Sequence, residues 1–161
     1  MNLSEQIAKQ LTELYFGGNW TDSNLKDSLT DVTWEMAITQ VYDLNTIAKL
    51  VYHMTYYVTE VTKVLKGGPL DARDKFSFDN PQINSQEDWE RMLDRIWTDV
   101  KEFSDLIGKL PESKLAEVMI DEKYGNYYRN LTGIIEHCHY HLGQIVLIKK
   151  ILLHSDKTQT E

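Results

Sequence analysis

The 161-residue chain has one cysteine, three prolines and no hydrophobic run of membrane-spanning length. A lone Cys138 cannot form an internal disulfide, and its place on an apolar helical stripe fits a reducing compartment. Basic stripes are absent as well, and 25 acidic against 17 basic residues leave a formal charge of -8. Phosphate backbones bind to clustered Lys and Arg, so this balance argues against a nucleic-acid surface. The N-terminal stretch Met1-Asn2-Leu3-Ser4-Glu5-Gln6 lacks the charged and apolar regions of a signal peptide, and no segment is apolar for long enough to span a bilayer. A cytoplasmic protein with no membrane partner is expected. There is no internal repeat, no low-complexity segment and no series of alternating apolar residues of the kind that marks strands.

What is present is helical patterning, at a composition (42% hydrophobic, 26% charged) ordinary for one globular domain. A first helix is expected from Ser4 as N-cap through Ile7, Leu11, Leu14 and Tyr15 to Gly17-Gly18. Short helical pieces follow at Asn24 to Leu29 and Thr33 to Ile38, each opened by a capping residue. The second long helix starts at Asn45-Thr46 and ends at Gly67-Gly68-Pro69. Residues Pro69 to Asn84 turn polar and read as a long loop. Ser85 caps a third helix, with Asp88 at its third position, and Pro111 ends it. After a mixed stretch with a turn at Tyr124-Gly125-Asn126, Asn130 is expected to cap a fourth helix running to Leu153. The predicted fold is all-α: an antiparallel four-helix bundle with short extra helices in its connections, a single domain over residues 1–154, and a flexible tail from Ser155 to Glu161.

The densest chemistry lies in His137-Cys138-His139-Tyr140-His141-Leu142-Gly143-Gln144-Ile145. At about 100° of rotation per residue, Cys138, His141, Ile145, Ile148 and Leu152 fall within about 40° of Ile134, and His137 within about 60°. His137 and His141 thus face the core one turn apart, whereas His139 points about 140° away. Two readings stand side by side. A histidine pair at i, i+4 can chelate a divalent ion, and it can equally be a pair of core histidines bonded to Tyr, Asp or backbone groups. A catalytic site of the zinc type needs a third ligand and an open position. His53 is the further candidate, about 120° from Ile47 and so on the flank of the second helix's apolar arc; His154, near the end of the last helix, is a poor one.

His53 in Asn45-Thr46-Ile47-Ala48-Lys49-Leu50-Val51-Tyr52-His53, with His137-x-x-x-His141-x-Gly143-Gln144-Ile145 far downstream, resembles the DinB superfamily over nearly the whole chain. The resemblance implies a four-helix bundle of DinB (DinB/YfiT-like) type with a metal ion held by His53, His137 and His141. Some members of that family are thiol-dependent S-transferases or isomerases using bacillithiol, mycothiol or glutathione, and many have no known activity. Zn, Ni or Fe would suit three imidazoles, and a metal of this kind eases deprotonation of a thiol that then attacks a small electrophile. The resemblance also implies a low-molecular-weight thiol as a second cofactor. Gln144, about 80° from Ile134, is placed to orient a ligand or to sit as a polar residue at the bundle edge. Tyr57, one turn after His53, lines a pocket mouth or is plain core. Tyr124, Tyr127, Tyr128 and Arg129 are candidates for substrate contact.

An alternative is a non-catalytic binding module. Leu142, Val146, Leu147 and Leu153 flank an outward-pointing Gly143, and a glycine inside a helix costs about 1 kcal/mol against alanine, so close approach of another helix would account for it. A homodimer through this surface is expected.

Overall fold

A computed structural model describes residues 1–158, with side chains through His154. Four long helices dominate: α1 (Leu3–Phe16), α4 (Ile47–Leu65), α5 (Gln86–Gly108) and α6 (Tyr127–Thr158). Two single-turn helices, α2 (Leu25–Leu29) and α3 (Trp34–Ile38), lie in the first connection, and short 3-10 turns occupy the later ones. Among the described residues there is no sheet, only an isolated bridge between Val118 and Asn126. No described helix is long and apolar enough to cross a membrane.

Packing follows from the apolar stripes. α1 packs on α5 and α6, and α4 packs on α5 and α6, so the four long helices close a ring with α1 and α4 on one diagonal. Leu11, Leu14, Val51, Met54, Val58, Val100, Phe103 and Ile145 fill the middle with almost no solvent contact. Trp89 anchors the first connection to α5. Its ring is buried, and its indole N–H donates to the Val32 carbonyl at 3.0 Å, so a polar backbone atom beside the core is satisfied. On the other side, Lys149 of α6 donates to the Ser28 carbonyl and pairs with Asp31, which ties α2 to the last helix.

Most helix starts obey capping chemistry. Side-chain oxygens of Asn24, Thr33, Thr46 and Ser85 each accept a backbone N–H of the following turn; a cap of this kind is worth about 1 kcal/mol. Two starts differ from expectation. In α1 the cap is Asn2, not Ser4, because Asn2 and Glu5 form a reciprocal capping box and draw Ser4 into the helix, where it is buried. In α6 the cap is Asn126, whose side chain accepts the Arg129 N–H at 2.9 Å. Gly125, at φ 81°, reverses the chain just before it, and Asn130, the expected cap, instead donates its amide to the Tyr124 and Asn126 carbonyls. At its other end α6 continues past Leu153 to Thr158. Of the tail expected to be flexible, residues 159–161 lie outside the described residues.

Leu142 corrects the expected outward surface on α6. It is only 3% exposed and belongs to the core. Val146 is partly buried against the core. Exposed apolar groups remain at Tyr140, Leu147 and Leu153, with Gly143 open to solvent between the first two.

Candidate metal centre

His53 comes from the middle of α4, and His137 and His141 from successive turns of α6, the two helices that pack against each other. His137 Nε2 stands 3.0 Å from His53 Nε2 and 3.0 Å from His141 Nε2. The three ligand nitrogens all lie within 4.8 Å of one another. Three imidazoles converge on one point. Nitrogens each about 2.1 Å from a tetrahedral ion are about 3.4 Å apart, so the observed spacing is close to what a shared ion requires. No other cluster of three metal-ligating side chains occurs among the described residues.

The electrostatics favour lone pairs over protons. Burial, and then the neighbouring rings of His141 and His53, push the His137 pKa down from the usual 6.5 to about 4. His53 is also lowered, chiefly by burial and then by His141, against an opposing influence from the Ser77 backbone and Asp74. A neutral imidazole carries one N–H and one lone pair, and the tautomer follows from the partner of the far nitrogen. At His141, Nδ1 lies 2.7 Å from Gln144 Oε1. The ring N–H therefore donates to Gln144, and the Nε2 lone pair faces the other histidines. Gln144 thus fixes the orientation of the His141 ring.

His53 is more enclosed than its flank position implied, at 8% exposure. The cause is the loop between α4 and α5. Phe78 stacks on the His53 ring at 3.9 Å between centroids and 6° between planes, and Tyr57 meets the same ring edge-on at 5.8 Å. Asp74, in the 3-10 turn Asp74–Phe76, accepts the Tyr57 hydroxyl, and the Arg73 backbone N–H donates to Tyr56 Oη at 2.8 Å. Burial first and the Asp74 carboxylate second push the Tyr57 phenol up to about 12, so it remains a proton donor to Asp74. The Phe78, Asp74 and Ser77 contributions lie in a polar segment without helical period, and only the aromatic at Phe78 hints at a covering role.

An open cavity of about 560 Å³ leads to the cluster. His53 and His137 form part of its wall, together with Tyr57, Phe78, Ile134 and Arg129. A larger groove of about 680 Å³, where Phe16 faces α5, holds no histidine. Of the residues expected to touch substrate, only Arg129 lines the histidine cavity. Tyr127 is buried with Lys114 over its ring at 5.1 Å, Tyr124 carries Lys123 over its ring at 4.8 Å, and Tyr128 is exposed. His139 turns away from the cluster and contacts the Ile135 carbonyl through Nδ1 at 3.1 Å; His154 is exposed far along α6.

Cys138, between two of the histidines in sequence, takes no part. It is fully buried, with Sγ 3.4 Å from Tyr15 Oη and 3.5 Å from the Met54 carbonyl, and burial pushes its thiol up to about 12. A thiol so hard to ionise is a poor nucleophile. Comparisons with protein-family models, curated proteins and solved structures return no match to this chain. The DinB resemblance therefore rests on the histidine motif and its spacing.

Proposed function

We propose that the chain is a metal-dependent enzyme of DinB type, an antiparallel bundle that transfers a low-molecular-weight thiol to a small electrophile in the cytoplasm. The observation that carries this reading is the convergence of three imidazoles beside an open cavity. Three protein ligands and a vacant fourth position are the pattern of catalytic rather than structural zinc-type sites. Asp74, the nearby carboxylate, is engaged by Tyr57 rather than aimed at the cluster.

Zn, Ni or Fe fits an all-imidazole donor set. Held by neutral ligands, such an ion keeps its full charge and makes a thiol or water at the open position easier to deprotonate. The protein's part is placement. Gln144 fixes the His141 tautomer, Phe78 and Tyr57 pack on the His53 ring, and Ile134 and Phe78 give the open cavity an apolar stretch of wall beside the cluster. Because Cys138 is sealed in the core, the thiol must come from a second small molecule.

Elemental analysis of protein purified without an affinity tag or chelator tests the reading. About one Zn, Ni or Fe per chain is expected in the wild type, and none in His53→Ala. Wild type that is metal-free and does not take up added divalent ions would leave the cluster a structural one.

A second copy of the chain is the partner proposed for the exposed face of α6. Tyr140, Gly143 and Leu147 lie one turn apart there, and Leu147 is 56% exposed. Sedimentation should show a dimer that Leu147→Glu dissociates; a wild-type monomer at tens of micromolar would refute it.

A further inference from the structure

The histidine cavity has one cation on its wall, and that cation pairs with no described residue. Arg129 lies on its wall, its side-chain stem over Gly125, where an added Cβ would come within 2.9 Å of Arg129 Cδ. Its backbone N–H is taken by Asn126, but its guanidinium makes no ion pair or hydrogen bond with any described residue. Arg129 is exposed at the rim of this open cavity, so its guanidinium is accessible to a ligand entering from solvent. Five donors in a planar fork match a carboxylate in two-point geometry.

Arg129, Gly133 and His137 follow one another at intervals of four along α6, and all three line the cavity. At 1.5 Å per residue, Arg129 and His137 are about 12 Å apart along the helix axis. Between them Gly133 supplies no side chain, and a Cβ built there meets nothing within 4 Å. The result is a stretch of cavity wall left open between Arg129 and His137, flanked by Ile134 and Phe78. Its charge also has a sign. Asp74 is the one carboxylate on the cavity wall, so with a divalent ion on three neutral ligands the balance with Arg129 is positive.

We propose that Arg129 is a specificity-determining residue, and that the site takes small molecules carrying a carboxylate at one end and a metal-ligating donor, such as a thiol, at the other. This rests on the metal-centre reading above. The carboxylate docks on the Arg129 fork, the short apolar span lies over Gly133, and the donor group reaches the histidine cluster.

Cobalt-loaded protein, its metal content measured first, provides the test. Its visible spectrum is titrated with 4-mercaptobutyrate and with the neutral 4-mercaptobutanol. In the wild type the carboxylate probe should bind on the order of tenfold more tightly, the scale of one charge-assisted hydrogen-bonded contact. Arg129→Gln should erase that preference while leaving cobalt content and mercaptobutanol binding unchanged. Gly133→Leu, which suits a helix better than glycine, should weaken both probes by filling that open stretch. Equal binding of the two probes by the wild type, or a preference that survives Arg129→Gln, overturns the proposal with the metal centre intact. Failure of wild type to load cobalt overturns the metal centre itself, and this inference with it.

Discussion

Replacing His137 with alanine should abolish stoichiometric metal loading, and His139→Ala should leave it at the wild-type level. His137 is the hub of the cluster, its Nε2 3.0 Å from the Nε2 atoms of both other histidines. Loss of a residue that merely supports a ligand typically weakens metal binding by roughly 10–100-fold, and loss of a ligand itself should exceed that. His139 sits between the same two histidines in sequence but contacts the Ile135 carbonyl on another face of the helix. The pair of variants therefore separates geometry from composition, since both remove one imidazole from the same helical turn. Circular dichroism on both, followed by metal analysis after dialysis against one equivalent of zinc, gives the answer. Equal loss in the two variants would mean that the metal is held by histidine content rather than by the cluster.

The metal-free protein should lose stability as the pH falls from 6.5 to about 4, the interval between the ordinary and the folded-state values of His137. The sign follows from proton counting. Burial lowers the folded-state pKa, so within this window the unfolded chain takes up a proton at His137 and the folded chain does not. Protons therefore favour unfolding. The full stabilisation is present above 6.5 and has been lost once the pH passes about 4. One proton per chain sets a ceiling of about 1.4 kcal/mol per pH unit, and the partial exposure of His137 keeps the effect below it. His53, shifted in the same direction, adds to the slope. Urea midpoints measured across the window should fall with acid in the wild type and fall less in His137→Gln. Identical profiles would show that the ring is not held neutral by its surroundings.

The helical framework was legible wherever a capping side chain directly preceded an apolar run, as at Thr46 and Ser85, because both signals are local. Ser4 and Asn130 misled because each had a stronger neighbour: the Asn2–Glu5 box in one case, the Gly125 reversal with Asn126 in the other. Helical rotation put His137 and His141 on one face, which any i, i+4 pair reveals. It underestimated the burial of His53, since what covers that flank is Phe78, brought in by a loop with no periodic pattern. It failed also for Leu142, which is buried in the core: angular position on one helix does not say where neighbouring elements lie. Long-range placement was the unreadable part, in the core and around the cluster alike.

The three histidines are spread unevenly along the chain, which bears on how the cluster assembles. His137 and His141 are four residues apart and become neighbours as soon as one turn of α6 forms, whereas His53 is 84 residues from His137 and arrives only when α4 docks. Closing so long a loop is among the later and more costly steps for a chain. A chain in which α6 has formed but α4 has not docked would display a bidentate chelate, and docking of α4 makes it tridentate. An ion captured early would act as a clasp that α4 closes, and its release from the finished protein would require those two helices to part or the cavity to give it up.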